Sequence, residues 1–303
     1  MPSIKDLKKR IGTVKNTQQT TKAMKMVSAA KLRRSQEAIV SHRPYAKQLG
    51  ILIQELSGGQ LDGSQSILIS KVGHKTTATQ TAPRVLLVAV TSDRGLCGGF
   101  NGSILKAALR WIAENQSKYS EIKLGFVGRK GNEFFKTRKA DSIVHYEEFG
   151  QKVSFVKAKK LSELLVDQYL TADFDEIYVI YNEFKNAISQ KVVAERFLPL
   201  NPEGTELAQA PVDVVNTELF LYRPSRQELL EAMLKKNFSV QVYRILLESQ
   251  ASEHGARMSA MENATKNAGE MIRKLTLIYN KQRQAGITKE LLEIIAGSES
   301  QKQ

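Results

Sequence analysis

The chain has 303 residues, room for about two domains and a sizeable core, and its 42% hydrophobic content with 19 Gly and 7 Pro excludes a disordered, collagen-like or low-complexity protein. Its 45 Lys and Arg against 31 Asp and Glu leave a net charge of +14, so an acidic partner is expected, while the single cysteine, Cys97, excludes an internal disulfide and a cysteine-cluster metal site. The longest strongly apolar run, Val85 to Val90, is far short of the roughly 20 residues of a membrane-spanning helix, and no secretory leader opens the sequence; a reducing cytoplasmic compartment and at most a peripheral membrane role are expected.

Residues 1–57 read as one basic helix. Up to Lys47 they carry twelve basic side chains against Asp6 and Glu37 alone. Ile4, Leu7, Ile11 and Val14 recur at spacings of three and four, Ser3 can cap the start, and no proline intervenes before Pro44. Beyond Val14 the stripe turns polar or small, through Gln18, Thr21, Met24, Val27 and Ser28 to Leu32. Such a charge run has three readings: a solvated face, a grip on phosphate backbone, or a match to an acidic protein surface. Interleaved aromatics are absent, since Tyr45 is the first aromatic residue.

Residues 58–83 are rich in Gly, Ser, Thr and Gln and read as a linker. Residues 84–200 then alternate in the manner of an α/β domain. Strands are expected at 84–91, 123–127 and 142–149, and helices at 101–112, 130–137 and 158–170. The β-branched runs 176–181 and 191–197 are expected to pair as a hairpin. The loop Ser92–Asn101 sits where a nucleotide-binding turn would sit, but its glycines fit neither the dinucleotide spacing nor a phosphate loop, so a tight packing turn is the simpler reading. Cys97 has none of His42, His74, His145 or His254 near it in sequence, and those four never approach metal-ligand spacing; no catalytic residue, cofactor or metal is expected.

Residues 201–223 form a second linker with Pro202 and Pro211, and 224–303 a second long helix with a tip. Met261, Ala264, Ala268, Met271, Leu275, Ile278, Gln282 and Ala285 keep a three-four alternation with small residues that let two helices approach closely. At 1.5 Å per residue the two helices would be about 80 and 107 Å long, the second overhanging the first by about 27 Å. Neither can bury its stripe alone, so the expected fold is an antiparallel coiled coil of the terminal helices joined to a central Rossmann-like α/β domain. A nucleic-acid-binding protein or a freestanding coiled-coil adaptor would share several of these features.

Three separated segments carry a more specific signal. Ile11–Gln36, the loop TSDRGLCGGFN at 91–101, and residues 256–297 together resemble the gamma subunit of F-type ATP synthases. The resemblance implies a rotor shaft without catalysis of its own, with no nucleic-acid partner. Its coil would turn inside a ring of three alpha and three beta subunits, and its foot would rest beside the epsilon subunit and the c-subunit ring. It implies contacts to the beta subunits from Met24, Lys25, Arg283 and Gln284, and a place on the cytoplasmic face of a bacterial plasma membrane. Thr20 stands where relatives usually carry an apolar residue, the tail from Ser298 to Gln303 is more polar than theirs, and one cysteine excludes the paired-thiol switch of chloroplast relatives.

Overall fold

The computed structural model describes residues 3–57, 68, 82–137, 142–147, 153–171, 174–186, 189–200, 223 and 225–300. The linkers read at 58–83 and 201–223 therefore lie almost wholly outside the described residues, as do the final residues of the tail. The chain divides into two units, Met1–Ala29 with Arg257–Gln303, and Ala30–Ala256. Helices α1 (Ile4–Ser57) and α5 (Arg226–Ser300) each contribute to both. Helix α1 continues through Pro44.

In the first unit the two helices run antiparallel, because rising positions on one meet falling positions on the other. Gln18 and Thr21 meet Thr265, Lys25 meets Glu262, and Ile4 lies against Gly286. The start of α1 is closed by a capping box: Ser3 Oγ accepts from the Asp6 amide at 3.1 Å and donates to its carboxylate at 2.8 Å. Inward places on α1 fall at Leu7, Ile11, Val14, Gln18, Thr21, Lys25 and Ser28. On α5 they fall at Met261, Thr265, Ala268, Ile272, Leu275, Tyr279, Gln282 and Gly286. Both series alternate threes and fours, the 3.5-residue period that keeps a seam facing its mate.

The seam read from α5 shares Met261, Ala268, Leu275 and Gln282 with this series and is one residue early between them. Ala264 is half-buried beside Thr265. Met271, 52% exposed, and Ile278, 46% exposed, flank the seam, and Ile272 and Tyr279 take the inward places. Adjacent apolar pairs such as Met271 and Ile272 satisfy either phase, and only the helix lying opposite chooses. Ile4 is 39% exposed at the fraying end. Thr20 faces outward, its hydroxyl donating to the Asn16 carbonyl at 3.0 Å, so no contact between the helices depends on it.

The second unit is built on a five-stranded sheet of order β3-β2-β1-β4-β5. Its strands are β1 (Arg84–Val90), β2 (Glu121–Val127), β3 (Ser142–Tyr146), β4 (Glu176–Phe184) and β5 (Gln190–Leu198). The first four are parallel and β5 returns antiparallel to β4, as the hairpin reading expects. Helices α2 (Phe100–Asn115) and α3 (Arg129–Lys136) cover one face, where Leu87, Ala89, Phe126 and Ile180 meet Phe100, Ile104, Ala108 and Phe135. On the other face Leu86, Val88, Val90 and Val179 meet α4 (Phe155–Thr171) through Leu161 and Leu165. Leu49 and Ile53 of α1 and Phe238, Val242 and Ile245 of α5 complete that layer. Burial on both faces explains why β1 is apolar at every position from Val85 onward, where a half-buried strand would alternate.

Candidate functional site

Met24 and Lys25 lie at the middle of the described coil. Lys25 Nζ is 2.7 Å from Glu262 Oε1, with the two side chains 38% and 58% exposed. One turn away, the Thr21 and Thr265 hydroxyls are 2.7 Å apart, and Gln18 Nε2 donates to the Thr265 carbonyl at 3.4 Å. Gly269 makes room for that glutamine, since a Cβ there would stand 3.0 Å from its Nε2. The coil is thus polar at its centre, with Thr and Gln where packed Leu and Ile would hold it rigidly. The sequence shows Gln18 and Thr21 in the stripe but gives no sign that Thr265 is their mate or that Glu262 is the mate of Lys25.

Arg283 and Gln284 are not brought to Lys25. They lie 21 and 22 residues beyond Glu262 on α5, about 30 Å along the helix, near the level of Ile4. Both are exposed, and Arg283 pairs with no acid among the described residues. Past Gly286, α5 goes on for 14 residues to Ser300, about 20 Å. Along this stretch Ile287, Leu291, Leu292, Ile294 and Ile295 are between 51% and 68% exposed. The four residues read as one contact set therefore form two separate stations on the same coil.

The loop after β1 lies at the carboxyl end of the sheet, where the strand order reverses between β1 and β4 and where open α/β sheets hold ligands. Here the loop's polar groups bind the protein itself. The first three amides of α3 donate to Asp93 Oδ1 at 3.1 Å, the Ser92 carbonyl at 3.1 Å and Thr91 Oγ1 at 2.9 Å. Asn101 fastens the other side, accepting from the Ser92 amide at 3.0 Å and donating to its hydroxyl at 2.8 Å. Cys97, 2% exposed, accepts from the Asn101 amide at 3.3 Å. Gly128 completes the turn at φ 91°, where a Cβ would stand 2.1 Å from the Thr91 carbonyl oxygen. This geometry is that of a tight packing turn. Among the described residues no group of three His, Cys, Asp or Glu is placed to hold a metal, and no helix is long and apolar enough to cross a membrane.

One further polar cluster was invisible in sequence. Arg244 of α5 reaches Glu195 of β5, Tyr181 of β4 and Glu248 of its own helix. Burial pushes the Glu248 carboxyl up to about 7, with Glu183 and Glu195 adding and Arg244 and Arg43 opposing. Burial likewise raises the Tyr181 phenol far above its ordinary value, Glu195 and Glu248 adding to this and Arg244 opposing, so the phenol remains a donor.

Comparison with known proteins agrees with this architecture. A family model described as ATP synthase matches residues 3–300. An ATP synthase gamma chain of Geobacter metallireducens is 49% identical over 302 residues, covering 99% of each chain. One from Anaeromyxobacter dehalogenans is 44% identical over 302 residues, covering all of both. Among solved structures, the central stalk/c-ring of the Tetrahymena thermophila mitochondrial ATP synthase is similar at 29% identity and a TM-score of 0.59, over 81% of this chain and 99% of that one. A chain of the Euglena gracilis mitochondrial ATP synthase shares the fold at 20% identity and a TM-score of 0.64, over 98% and 94% of the two chains. Fold and matches define the class as a non-catalytic stalk subunit of an ATP synthase. The chain belongs to the ATP synthase gamma chain family.

Proposed function

We propose that this chain is the central shaft of a bacterial F-type ATP synthase, with the antiparallel coil of its terminal helices standing inside a ring of three alpha and three beta subunits. The α/β unit rests on the c-subunit ring beside epsilon, at the cytoplasmic face of the plasma membrane. Ion flow turns ring and shaft together. A lopsided shaft then favours a different conformation in each catalytic site in turn, and those differences in binding free energy become release of ATP.

The observation that carries this reading is the exposed apolar end of α5. Five Leu and Ile side chains there, each more than half exposed among the described residues, need an apolar socket from other chains. Two stations on the coil meet the beta subunits: Met24 and Lys25 at the polar middle, Arg283 and Gln284 near the overhang. The net positive charge of residues 1–47 gives attraction to acidic surfaces that depends weakly on angle, which suits a turning part. Arg283 presents an exposed planar fork suited to carboxylates.

Affinity purification of the chain from gently solubilised membranes tests this, with the accompanying polypeptides identified by mass. Alpha, beta, epsilon and c chains are expected. Recovery of a self-contained oligomer, or of bound nucleic acid without those chains, overturns it.

A further inference from the structure

The stalk reading makes no use of the charged cluster between α5 and the sheet. Arg244 Nη2 lies 2.6 Å from Glu195 Oε1, and Nη1 lies 3.3 Å from the Tyr181 phenol and 3.7 Å from Glu248 Oε1. The Tyr181 phenol donates to the other Glu195 oxygen at 2.8 Å, so guanidinium, carboxylate and phenol close a ring spanning helix and both strands. Glu248 Oε2 is buried with no hydrogen-bond partner among the described residues, and Arg244 and Arg43 are the cations that favour its charged form. Two turns along α5, the Ser252 hydroxyl donates to the Asn182 carbonyl at 3.0 Å, and Asn182 Nδ2 donates to the Phe100 carbonyl at 3.4 Å.

These contacts differ in kind from the packing around them. From Phe238 to Leu247 most of α5 is buried, and apolar contact of that sort has no direction: a helix turned about its axis exchanges one apolar neighbour for another. A planar fork engaged with a carboxylate and a phenol holds in one orientation only. Helix α5 is continuous from this buried stretch to Ser300.

We propose that Arg244 is the joint that sets the rotational position of α5 on the sheet, so that a twisting load on the α/β unit passes into the helix without slip. The proposal rests on the shaft reading and names a positioning residue within it. Its test uses the complete ATP synthase in inverted membrane vesicles, measuring protons pumped per ATP hydrolysed, with hydrolysis normalised to the chain present in the purified complex. R244K keeps the charge and loses the fork; pumping per ATP is expected to fall at least twofold with hydrolysis per complex within twofold of wild type. The triple variant E195M/R244M/E248Q replaces the cluster with uncharged groups, which restores stability while removing the directional tie. Its pumping per ATP is expected to fall at least fivefold although the complex melts as the wild type does. A wild-type ratio in either variant overturns the joint. Absence of the chain from the wild-type complex would overturn the shaft reading instead, before any variant is compared.

Discussion

The hydroxyl oxygens of Thr21 and Thr265 lie 2.7 Å apart across the antiparallel coil. Each is also within reach of its own helix, Thr21 of the Gln18 carbonyl at 3.0 Å and Thr265 of the Met261 carbonyl at 2.7 Å. A hydroxyl has one proton, so one threonine donates across the seam and the other along its helix. This contact aligns the helices axially, as a sliding seam of Leu and Ile would not. The variant T21C/T265C should cross-link under mild oxidation of the assembled complex, whereas T21C/R283C should not. Equal yields in the two variants would contradict the register.

The Lys25–Glu262 pair is too exposed to hold the coil together, and E262Q is expected to change stability by less than about 1 kcal/mol. Its effect should be on Lys25, released to pair elsewhere. Thermal melting of the complex checks the first statement, and a shift of more than a few degrees would show that the pair is structural.

Alanine at Arg283 should lower ion-driven ATP synthesis several-fold while the complex still assembles, because the side chain is exposed and pairs with no acid among the described residues. An unchanged synthesis rate per assembled complex counts against the beta-contact role.

Glu248 gives the second unit a pH dependence of known sign. Its carboxyl is raised on folding to about 7, so the folded protein holds a proton that the unfolded chain releases near its ordinary value. Stability from this group is full below about pH 4.5 and is lost as pH climbs through 7, by up to about 3 kcal/mol. Denaturant unfolding followed through Trp111, the chain's one tryptophan, should show E248Q flattening that decline between pH 5 and 8. Identical slopes in variant and wild type would refute the assignment.

At Gly128 a methyl group would collide with the Thr91 carbonyl in a backbone conformation that side chains seldom adopt. G128A should destabilise the second unit by roughly 2–4 kcal/mol. Denaturant unfolding followed through Trp111 is expected to show that loss of stability. An unchanged midpoint would mean that the turn relaxes.

Much of this molecule is written in its local patterns. The unbroken apolar run of β1 and the polar residues between β4 and β5 are legible in composition alone, and the stripes of α2 and α4 follow from a repeat of 3.6 residues set by backbone geometry before any neighbour arrives. The long helices and the thin, partly polar stripe of α1 are legible for the same reason. Which residue of the pairs Ala264/Thr265, Met271/Ile272 and Ile278/Tyr279 faces the mate was decided only when two helices met, since neighbouring apolar or small residues satisfy either phase. Tertiary structure alone also joined Lys25 to Glu262 across 237 positions and Arg244 to Glu195 across 49, because the attraction between two charges depends on distance in space and carries no trace in sequence separation.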